Sequence, residues 1–257
     1  MKDKTVILVA VRLTSRRLKK KALLNLHKKP LILRLTDRIK KSNLSAQVIW
    51  CTSIGKEDDE LERLGNNNEI EVFRGPKKDV MMRFILAAEK YNAKNIVRVT
   101  GDNPLTDPKV IDFLIKKHKE NKMEYTCCNS IPVGTRSEII DLKMLKKCHK
   151  MIRDPNHTEY MTWMLNKPDY FKTLDVVHPN DKLNRPEIFL SVDFQEDYRN
   201  MLKIYNHFKG KIPSLEKIIK WIDKNPKLLS KLRRRRRIKE KRDLIKKKNL
   251  LSLGKIN

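Results

Sequence analysis

Short runs of apolar and β-branched residues alternate with longer amphipathic stretches over the first 212 residues. The short runs predict strands and the longer stretches predict helices. The predicted strands are Thr5–Val11, Gln47–Thr52, Glu69–Phe73, Asn95–Val99 and Tyr125–Cys128. The predicted helices are Leu31–Lys41, Asp58–Leu64, Asp79–Tyr91 and Pro108–Asn121. This alternation predicts an α/β fold with a mostly parallel sheet and helices on both of its faces.

The helix predicted at Pro108–Asn121 has the clearest signals. Apolar and aromatic side chains recur at roughly helical spacing, at Val110, Phe113, Leu114 and His118. Pro108 suits a first helical turn, and Asp107 before it is a candidate N-cap. The region from about Asn129 to Asn184 is less regular, and we expect it to pack beside the sheet.

The chain is strongly basic. It carries 59 Lys and Arg residues against 31 Asp and Glu, a formal charge of +28. Residues 213–257 contribute 17 basic and 4 acidic residues, a net +13, which leaves +15 for residues 1–212. Such an excess indicates a polyanionic partner, although a composition biased toward lysine and asparagine explains it equally well.

The cysteines show no spacing typical of metal ligands. They are Cys51, Cys127, Cys128 and Cys148, and we interpret them as reduced thiols of a cytoplasmic protein. The sequence from Met1 leads directly into the first predicted strand without a signal-peptide pattern, and no apolar run approaches the length of a membrane span.

A basic loop follows the first predicted strand. Within ten positions it offers guanidinium, ammonium and hydroxyl groups, from Arg12, Ser15, Arg16, Arg17, Lys19, Lys20 and Lys21. Such groups bind phosphate oxygens well. From composition alone, a triphosphate site and a solvated basic loop are equally good interpretations.

Two acidic residues follow apolar runs that end where a ligand site is expected. Gly101 and Asp102 form a predicted tight turn after the strand at Asn95–Val99, and Asp193 follows a second apolar run. In sheets of this type, ligands bind beyond the carboxyl ends of the strands. If the two carboxylates converge there, they can hold Mg²⁺.

Six motifs in order resemble the sugar-acid cytidylyltransferases, the family of CMP-sugar synthetases for acylneuraminate and 3-deoxy-octulosonate. The branch associated with spore-coat polysaccharide biosynthesis is the most similar. The family opens with a strand and then A-R-x-G-S-x-R-L-P-G-K, which corresponds here to "VRLTSRRLKKK" at 11–21. The others are "FRGPKKDVMMRF" at 73–84, "RVTGDNPLTDP" at 98–108, "PVGTRSE" at 132–138, "EYMT" at 159–162 and "SVDFQED" at 191–197.

The resemblance implies a Rossmann-like three-layer nucleotidyltransferase fold and transfer of CMP from CTP to a small-molecule acceptor, with release of pyrophosphate. It implies triphosphate contacts from Arg12, Arg17 and Lys21, a hydrogen bond from Ser15, and a Mg²⁺ site at Asp102 and Asp193. It further implies a nucleotide-binding cleft shaped by Arg74, Gly75, Asp79 and Gly101, and acceptor or subunit contacts from Glu138 and Glu159. The resemblance also implies that the protein forms a homodimer.

The motifs also depart from the family pattern. Thr14 replaces a glycine, Lys19 and Lys20 replace Pro-Gly, Tyr160 replaces a frequent histidine, and Arg136 replaces a frequent aspartate. Glycine permits unusual backbone angles, so its loss bears on the phosphate loop. Two alternatives therefore stay open: a nucleotide-binding homologue without turnover, and a polyanion-binding protein acting through its basic tail.

We assign residues 1–212 to a nucleotidyltransferase domain and residues 213–257 to a basic C-terminal extension. The extension itself has two parts. Apolar residues at helical spacing predict a packed helix over 214–224, capped by Ser214. The run at 231–250 contains five consecutive arginines. It predicts an exposed extension that contacts anionic lipid or nucleic acid or has no partner, so truncation after Asn225 is expected to preserve turnover.

Overall fold

The computed structural model describes residues 4–15, 17–152, 154–211, 213–236 and 238. The strands are β1 (Thr5–Ala10), β2 (Asn25–Leu26), β3 (Lys29–Pro30), β4 (Val48–Ser53), β5 (Glu71–Gly75), β6 (Asn95–Thr100), β7 (Tyr125–Cys127), β8 (Glu138–Asp141) and β9 (Thr173–Asp175). The helices are α1 (Leu31–Ile39), α2 (Asp59–Asn66), α3 (Val80–Lys90), α4 (Pro108–Glu120), α5 (Leu142–Met151), α6 (Met161–Leu165), α7 (Gln195–His207) and α8 (Leu215–Asp223). Residues 226–236 are also helical.

The large sheet has the strand order β5-β4-β1-β6-β8-β7-β9. β1 pairs in parallel with both β4 and β6, and β4 pairs in parallel with β5. β8 is antiparallel to both of its neighbours, β6 and β7. The predicted α/β fold with a mostly parallel sheet is therefore confirmed.

The region 129–184 does more than pack beside the sheet, which corrects the sequence-based expectation. It supplies β8 and β9 to the sheet itself. Their sequences, "EIID" and "TLD", span only four and three residues. Such short segments carry too few alternating positions to be recognised as strands.

Helices cover both faces of the sheet because side chains alternate along each strand. Ile7 and Val9 of β1 belong to one buried cluster, which also contains Leu35 of α1 and Leu114 of α4. Val6 and Leu8 belong to a second cluster with residues of α3 and α5. A third cluster joins α7, α8 and the helix at 226–236.

The predicted cap of α4 is confirmed. The Asp107 carboxylate accepts hydrogen bonds from the backbone N–H groups of Lys109 and Val110. Its Oδ2 lies 2.8 Å from the Arg38 guanidinium, and both side chains are buried. Asp107 therefore fixes the start of α4 and links it to α1.

The predicted C-terminal helix forms, but its cap differs from the expectation. Ser214 stands at the N-cap position of α8 without a side-chain hydrogen bond. The N–H of Leu215 instead donates to Asp107 Oδ2 at 3.3 Å. The carboxylate that begins α4 thus also serves the start of α8, which removes the need for a serine cap.

The basic run beyond α8 is not uniformly exposed, so that prediction is wrong in part. Lys231, Arg233 and Arg234 are exposed as predicted, whereas Leu232 is buried and Arg235 and Arg236 are partly buried. Leu228 and Leu232 are 6% and 3% exposed and belong to the third buried cluster. Arg235 also packs against the domain, with 11% of its side chain exposed. Residues 237 and 239–250 of the predicted run lie outside the described residues.

The four cysteines have free, buried thiols. Burial raises the pKa of Cys148 to about 11. Across the described part of the chain, no helix combines the length and the apolar character needed to cross a membrane.

We expect the buried His118 to make the folded protein less stable in acid. Burial lowers its pKa from 6.5 to about 4, and its Nδ1 lies 3.0 Å from Thr126 Oγ1. Since the unfolded chain takes up this proton more readily, stability is fully present above pH 6.5 and falls as the pH drops toward 4. The loss amounts to roughly 3 kcal/mol at most.

We expect His118→Asn to weaken this pH dependence, as measured by urea unfolding between pH 7 and pH 4.5. Asparagine does not take up a proton in this range but can still form a hydrogen bond with Thr126. Parallel pH profiles for the two proteins would show that His118 does not contribute.

Candidate active site

The strand order creates a switch point between β1 and β6. From β1 the chain first adds β4 and β5 on one side and later adds β6 on the other. Ligands of open α/β sheets bind at such a point, beyond the carboxyl ends of the strands. The two loops that meet here follow Ala10 and Thr100, and Gly101 N donates to Ala10 O at 2.8 Å. They are the basic loop and the Gly-Asp turn found in the sequence.

Lys21 joins the two predicted aspartates. Its Nζ lies 2.7 Å from Asp102 Oδ2 and 3.5 Å from Asp193 Oδ1. It also donates to the carbonyl oxygen of Val192 at 2.9 Å. The fold thus brings Asp102 and Asp193, which are 81 and 172 positions from Lys21 in the sequence, to one ammonium group.

Arg17 completes this cluster of charges. A guanidinium nitrogen lies 2.9 Å from Asp193 Oδ1, and the guanidinium carbon lies 5.2 Å from the Phe194 ring centroid. Asp193 is nearly buried, with 6% of its side chain exposed, whereas Arg17 is 37% exposed. Arg17 therefore has one side on the cluster and another open to solvent.

The segment that carries Asp193 is not a strand, although the sequence places Asp193 after an apolar run. One isolated parallel bridge links Val133 to Phe189. Gly134, with φ of 94°, lies directly against the backbone of Leu190, where a side chain would collide. Val192 N donates to Asp102 O at 2.9 Å. These backbone contacts, rather than a strand, bring Asp193 to Asp102.

The remaining phosphate-loop residues are placed differently. Arg12 lies 2.7 Å from Glu159 in a half-exposed ion pair. Ser15 is partly exposed within the loop, and Arg16 lies outside the described residues. Arg12 thus connects the basic loop to the 3-10 helix at Pro155–Tyr160.

Arg74, Gly75 and Asp79 make structural contacts in this state. The Arg74 guanidinium pairs with Asp59 and Glu62 and donates to two backbone carbonyls at the end of β4 and just after it. Gly75 leaves room for Arg83, since a side chain there would meet Arg83 Cγ. Asp79 caps α3 by accepting from Met82 N at 2.9 Å. Their predicted contribution to a nucleotide cleft stays a prediction.

Glu138 lies apart from the aspartate pair, on β8. Its carboxylate lies 2.7 Å from Arg98 and accepts a hydrogen bond of 2.7 Å from Thr162. Both charged side chains are largely buried. Glu138 therefore neutralises Arg98 of β6, and its predicted acceptor contact stays a prediction.

Two carboxylates that the sequence analysis missed position the site loops. Asp58 is fully buried and accepts from Leu13 N at 2.7 Å and from Ser53 N at 3.1 Å. Asp197 accepts from the backbone N–H groups of Asp193 and Phe194 at 3.1 and 2.9 Å. Asp197 stands three residues after the N-cap of α7, but that N-cap is Phe194 rather than serine or threonine, so the sequence carries no capping-box signal that identifies it.

Lys20 holds a strained backbone in the phosphate loop. Its φ of 46° and ψ of 33° lie in the left-handed region, where a side chain costs roughly 1 kcal/mol. This is one of the positions at which the family pattern has glycine. The loop therefore keeps a backbone suited to glycine although the residue is lysine.

We expect Lys20→Gly to be more stable than Lys20→Ala by about 1 kcal/mol in urea unfolding. Both variants lose the exposed ion pair between Lys20 and Glu60, so the comparison isolates the backbone term. An equal or lower urea midpoint for the glycine variant would contradict the strain.

The pair of aspartates fits a divalent metal ion held jointly with a substrate. No group of three or more metal-binding His, Cys, Asp or Glu side chains occurs among the residues described. Asp102 and Asp193 already surround one cation, the Lys21 ammonium. Mg²⁺ is commonly bound by one or two carboxylates together with substrate phosphates, which matches this donor set.

Comparison with known proteins gives consistent results. Residues 6–252 match the sequence profile of the family described as Cytidylyltransferase. The spore coat polysaccharide biosynthesis protein SpsF of Bacillus subtilis is 27% identical, over 86% of this chain and 95% of that protein. The 3-deoxy-manno-octulosonate cytidylyltransferase of Chloroherpeton thalassium is also 27% identical, over 72% of this chain and 70% of that protein.

A solved structure extends the likeness to three dimensions. The structure of a cytidylyltransferase from Leptospira borgpetersenii superposes with a TM-score of 0.80 at 27% identity. The match covers 88% of this chain and 96% of that one. The fold and the sequence therefore point to the same family.

Proposed function

Since this chain belongs to the cytidylyltransferase family, we propose that it transfers CMP from CTP to a sugar acid or related acceptor for surface polysaccharide synthesis. A hydroxyl or acidic oxygen of the acceptor attacks the α-phosphorus of CTP, and the bond from that phosphorus to the β-phosphate oxygen breaks. Pyrophosphate leaves, and any proton on the attacking oxygen passes to solvent.

One observation carries the proposal: Lys21 and Arg17 surround Asp193, and Lys21 also contacts Asp102, at the switch point of the sheet. Such a reaction gathers negative charges, so it is promoted chiefly by positioning and by electrostatic stabilisation. Paired cations and carboxylates at one place suit that task.

The residues of this cluster have distinct proposed roles. Arg17 and Lys21 exchange their carboxylate partners for phosphate oxygens of CTP, and Arg17 binds them through its forked donors. Arg12 and Ser15 extend the phosphate contacts. Asp102 and Asp193 hold the metal, which we propose is Mg²⁺. When bound, the metal ion neutralises charge on the phosphates.

The acceptor is proposed from the relatives. The names of two relatives refer to polysaccharide biosynthesis and to 3-deoxy-manno-octulosonate, so a sugar acid is the class to test first. Glu138 and Glu159 are the proposed acceptor-side or subunit-contact residues. A homodimer and a cytoplasmic location accompany this proposal.

Pyrophosphate release tests the function directly. The purified chain is incubated with Mg²⁺ and each of the four ribonucleoside triphosphates, with and without a panel of eight- and nine-carbon sugar acids. We expect release only with CTP and with at least one acceptor. Release that requires another nucleotide would overturn the proposed base choice.

The altered phosphate loop keeps a second candidate in view, a homologue that binds CTP without turnover. Thr14, Lys19 and Lys20 are the departures that favour it. The glycine-like backbone at Lys20 argues for an intact loop. Calorimetric titration with CTP and Mg²⁺ beside the pyrophosphate-release assay decides between the two, because the second candidate binds CTP and releases no pyrophosphate with any acceptor.

A further inference from the structure

The helix at 226–236 ends beside the loop that carries Asp193. Leu228 and Leu232 are buried, and Arg235 follows on the same side of the helix, as expected for residues three and four positions apart. Their cluster also contains Val192 and Met201, from the Asp193 segment and from α7. The arginine run is therefore anchored next to the active-site loop by apolar contacts.

Arg235 makes a two-point contact with Asp197. Its Nε donates to Asp197 Oδ1 at 2.6 Å, and a terminal nitrogen donates to Oδ2 at 3.1 Å. Only 11% and 2% of the two side chains are exposed. The hydrogen bond to Asp197 raises the pKa of Arg235, so the guanidinium remains charged. A buried carboxylate of this kind is costly without its partner.

Asp197 links Arg235 to the backbone of the Asp193 loop. Its Oδ2 accepts the N–H groups of Asp193 and Phe194, which begin the turn into α7. The position of the Asp193 side chain depends on the backbone at that residue. Arg235 is therefore connected to Asp193, the proposed metal-binding residue, through the carboxylate of Asp197.

Phe194 provides a second connection. The guanidinium carbons of Arg235 and Arg17 lie 4.9 and 5.2 Å from the centroid of its ring, within the range of cation–π attraction. Arg17 in turn contacts Asp193. Arg235 thus contacts both residues that fix the Asp193–Arg17 pair, namely Asp197 and Phe194.

The neighbouring arginines have other contacts. Arg233 lies 3.3 Å from Glu187, and Arg236 donates to the carbonyl of Pro186. Arg234 is exposed. The effect on the site is therefore specific to Arg235 and is not a general property of the arginine run.

We infer that Arg235 is a positioning residue, which holds the Asp193–Phe194 turn in the geometry that binds metal and triphosphate; this inference rests on the proposed function. The C-terminal helix is then part of the working enzyme. The contacts of Arg235 reverse the expectation that truncation after Asn225 preserves turnover, and we expect that truncation to lower it.

Amide hydrogen exchange tests the positioning without substrate, metal or turnover. We expect Arg235→Ala to speed exchange at the amides of Asp193 and Phe194 by roughly tenfold, because their shared acceptor loses its partner. Amides of β1 should keep their wild-type rates, which excludes general destabilisation. Arg234→Ala, an exposed arginine from the same run, should leave all of these rates unchanged.

Kinetics test the consequence for the reaction. We expect Arg235→Ala to lower kcat/KM for pyrophosphate release roughly tenfold and to raise the Mg²⁺ concentration needed for half-maximal activity. Arg234→Ala should match the wild type. Arg235→Lys keeps the charge but loses the fork, so it should recover part of the activity and provides a folded variant if the alanine protein is unstable.

The two arms separate failure of this inference from failure of the proposed function. If the wild-type chain releases no pyrophosphate, the proposed function fails, while the exchange experiment still tests the positioning. If Arg235→Ala and Arg234→Ala have the same exchange rates at Asp193 and Phe194 and the same kcat/KM, the inference is wrong.

Discussion

Asp102→Asn and Asp193→Asn should each reduce Mg²⁺-dependent pyrophosphate release by at least roughly a thousandfold. Each variant removes one of the two carboxylates that meet at Lys21. Asparagine keeps the size of the side chain but loses its charge, so the metal and the phosphates lose a shared partner. Initial rates over a Mg²⁺ titration measure the effect.

Circular dichroism and urea unfolding must show that both variants remain folded. This matters most for Asp193, since its removal leaves Arg17 and Lys21 near a nearly buried site without that carboxylate charge. Asp37→Asn is a suitable control, because Asp37 of α1 forms an ion pair at the surface with Lys29 of β3. Near-normal activity in either active-site variant would remove that residue from the metal site.

Lys21→Ala and Arg17→Ala should weaken the binding of CTP with Mg²⁺ by roughly ten- to a hundredfold, as measured by calorimetric titration. Hydrogen bonds to charged groups contribute about 1.5–3 kcal/mol each, and both side chains lie at the aspartate pair. The loop then acts as a phosphate-binding site rather than as a diffuse basic surface.

Lys19→Ala and Lys20→Ala are the matched controls from the same loop. Both lysines are exposed, and Lys20 pairs at the surface with Glu60. Exposed charges contribute little, so each control should change the affinity by less than about fivefold. Equal, small losses across all four variants would instead support a diffuse basic surface.

The sequence predicts a helix and its cap correctly where the residues that determine both lie within or next to that helix. Apolar spacing, a proline and Asp107 predict a helix over Pro108–Asn121, and it forms over Pro108–Glu120 with that cap. An apolar face predicts a helix over 214–224, and it forms over Leu215–Asp223 with that face buried. Its cap could not be predicted, because the acceptor for Leu215 comes from Asp107, 108 positions away.

The candidate site shows the same division. The resemblance identified Lys21, Asp102 and Asp193, and the structure brings them together. The supporting residues Asp58 and Asp197 were missed because their partners are backbone N–H groups of the loops they hold. The side-chain contacts of such a carboxylate depend on the folded loops and not on its own flanking residues.

The sequence by itself determined the α/β class, most strands and helices, the family and which charged residues to propose for the site. These features follow from periodicity and from motifs that occur within short segments. The tertiary structure alone decided that Asp193 reaches Lys21 without a strand and that Arg235 belongs beside it. A run of five arginines has the same composition whether it is solvated or docked; burial of Leu228 and Leu232, together with a buried acidic partner at Asp197, selects the docked arrangement.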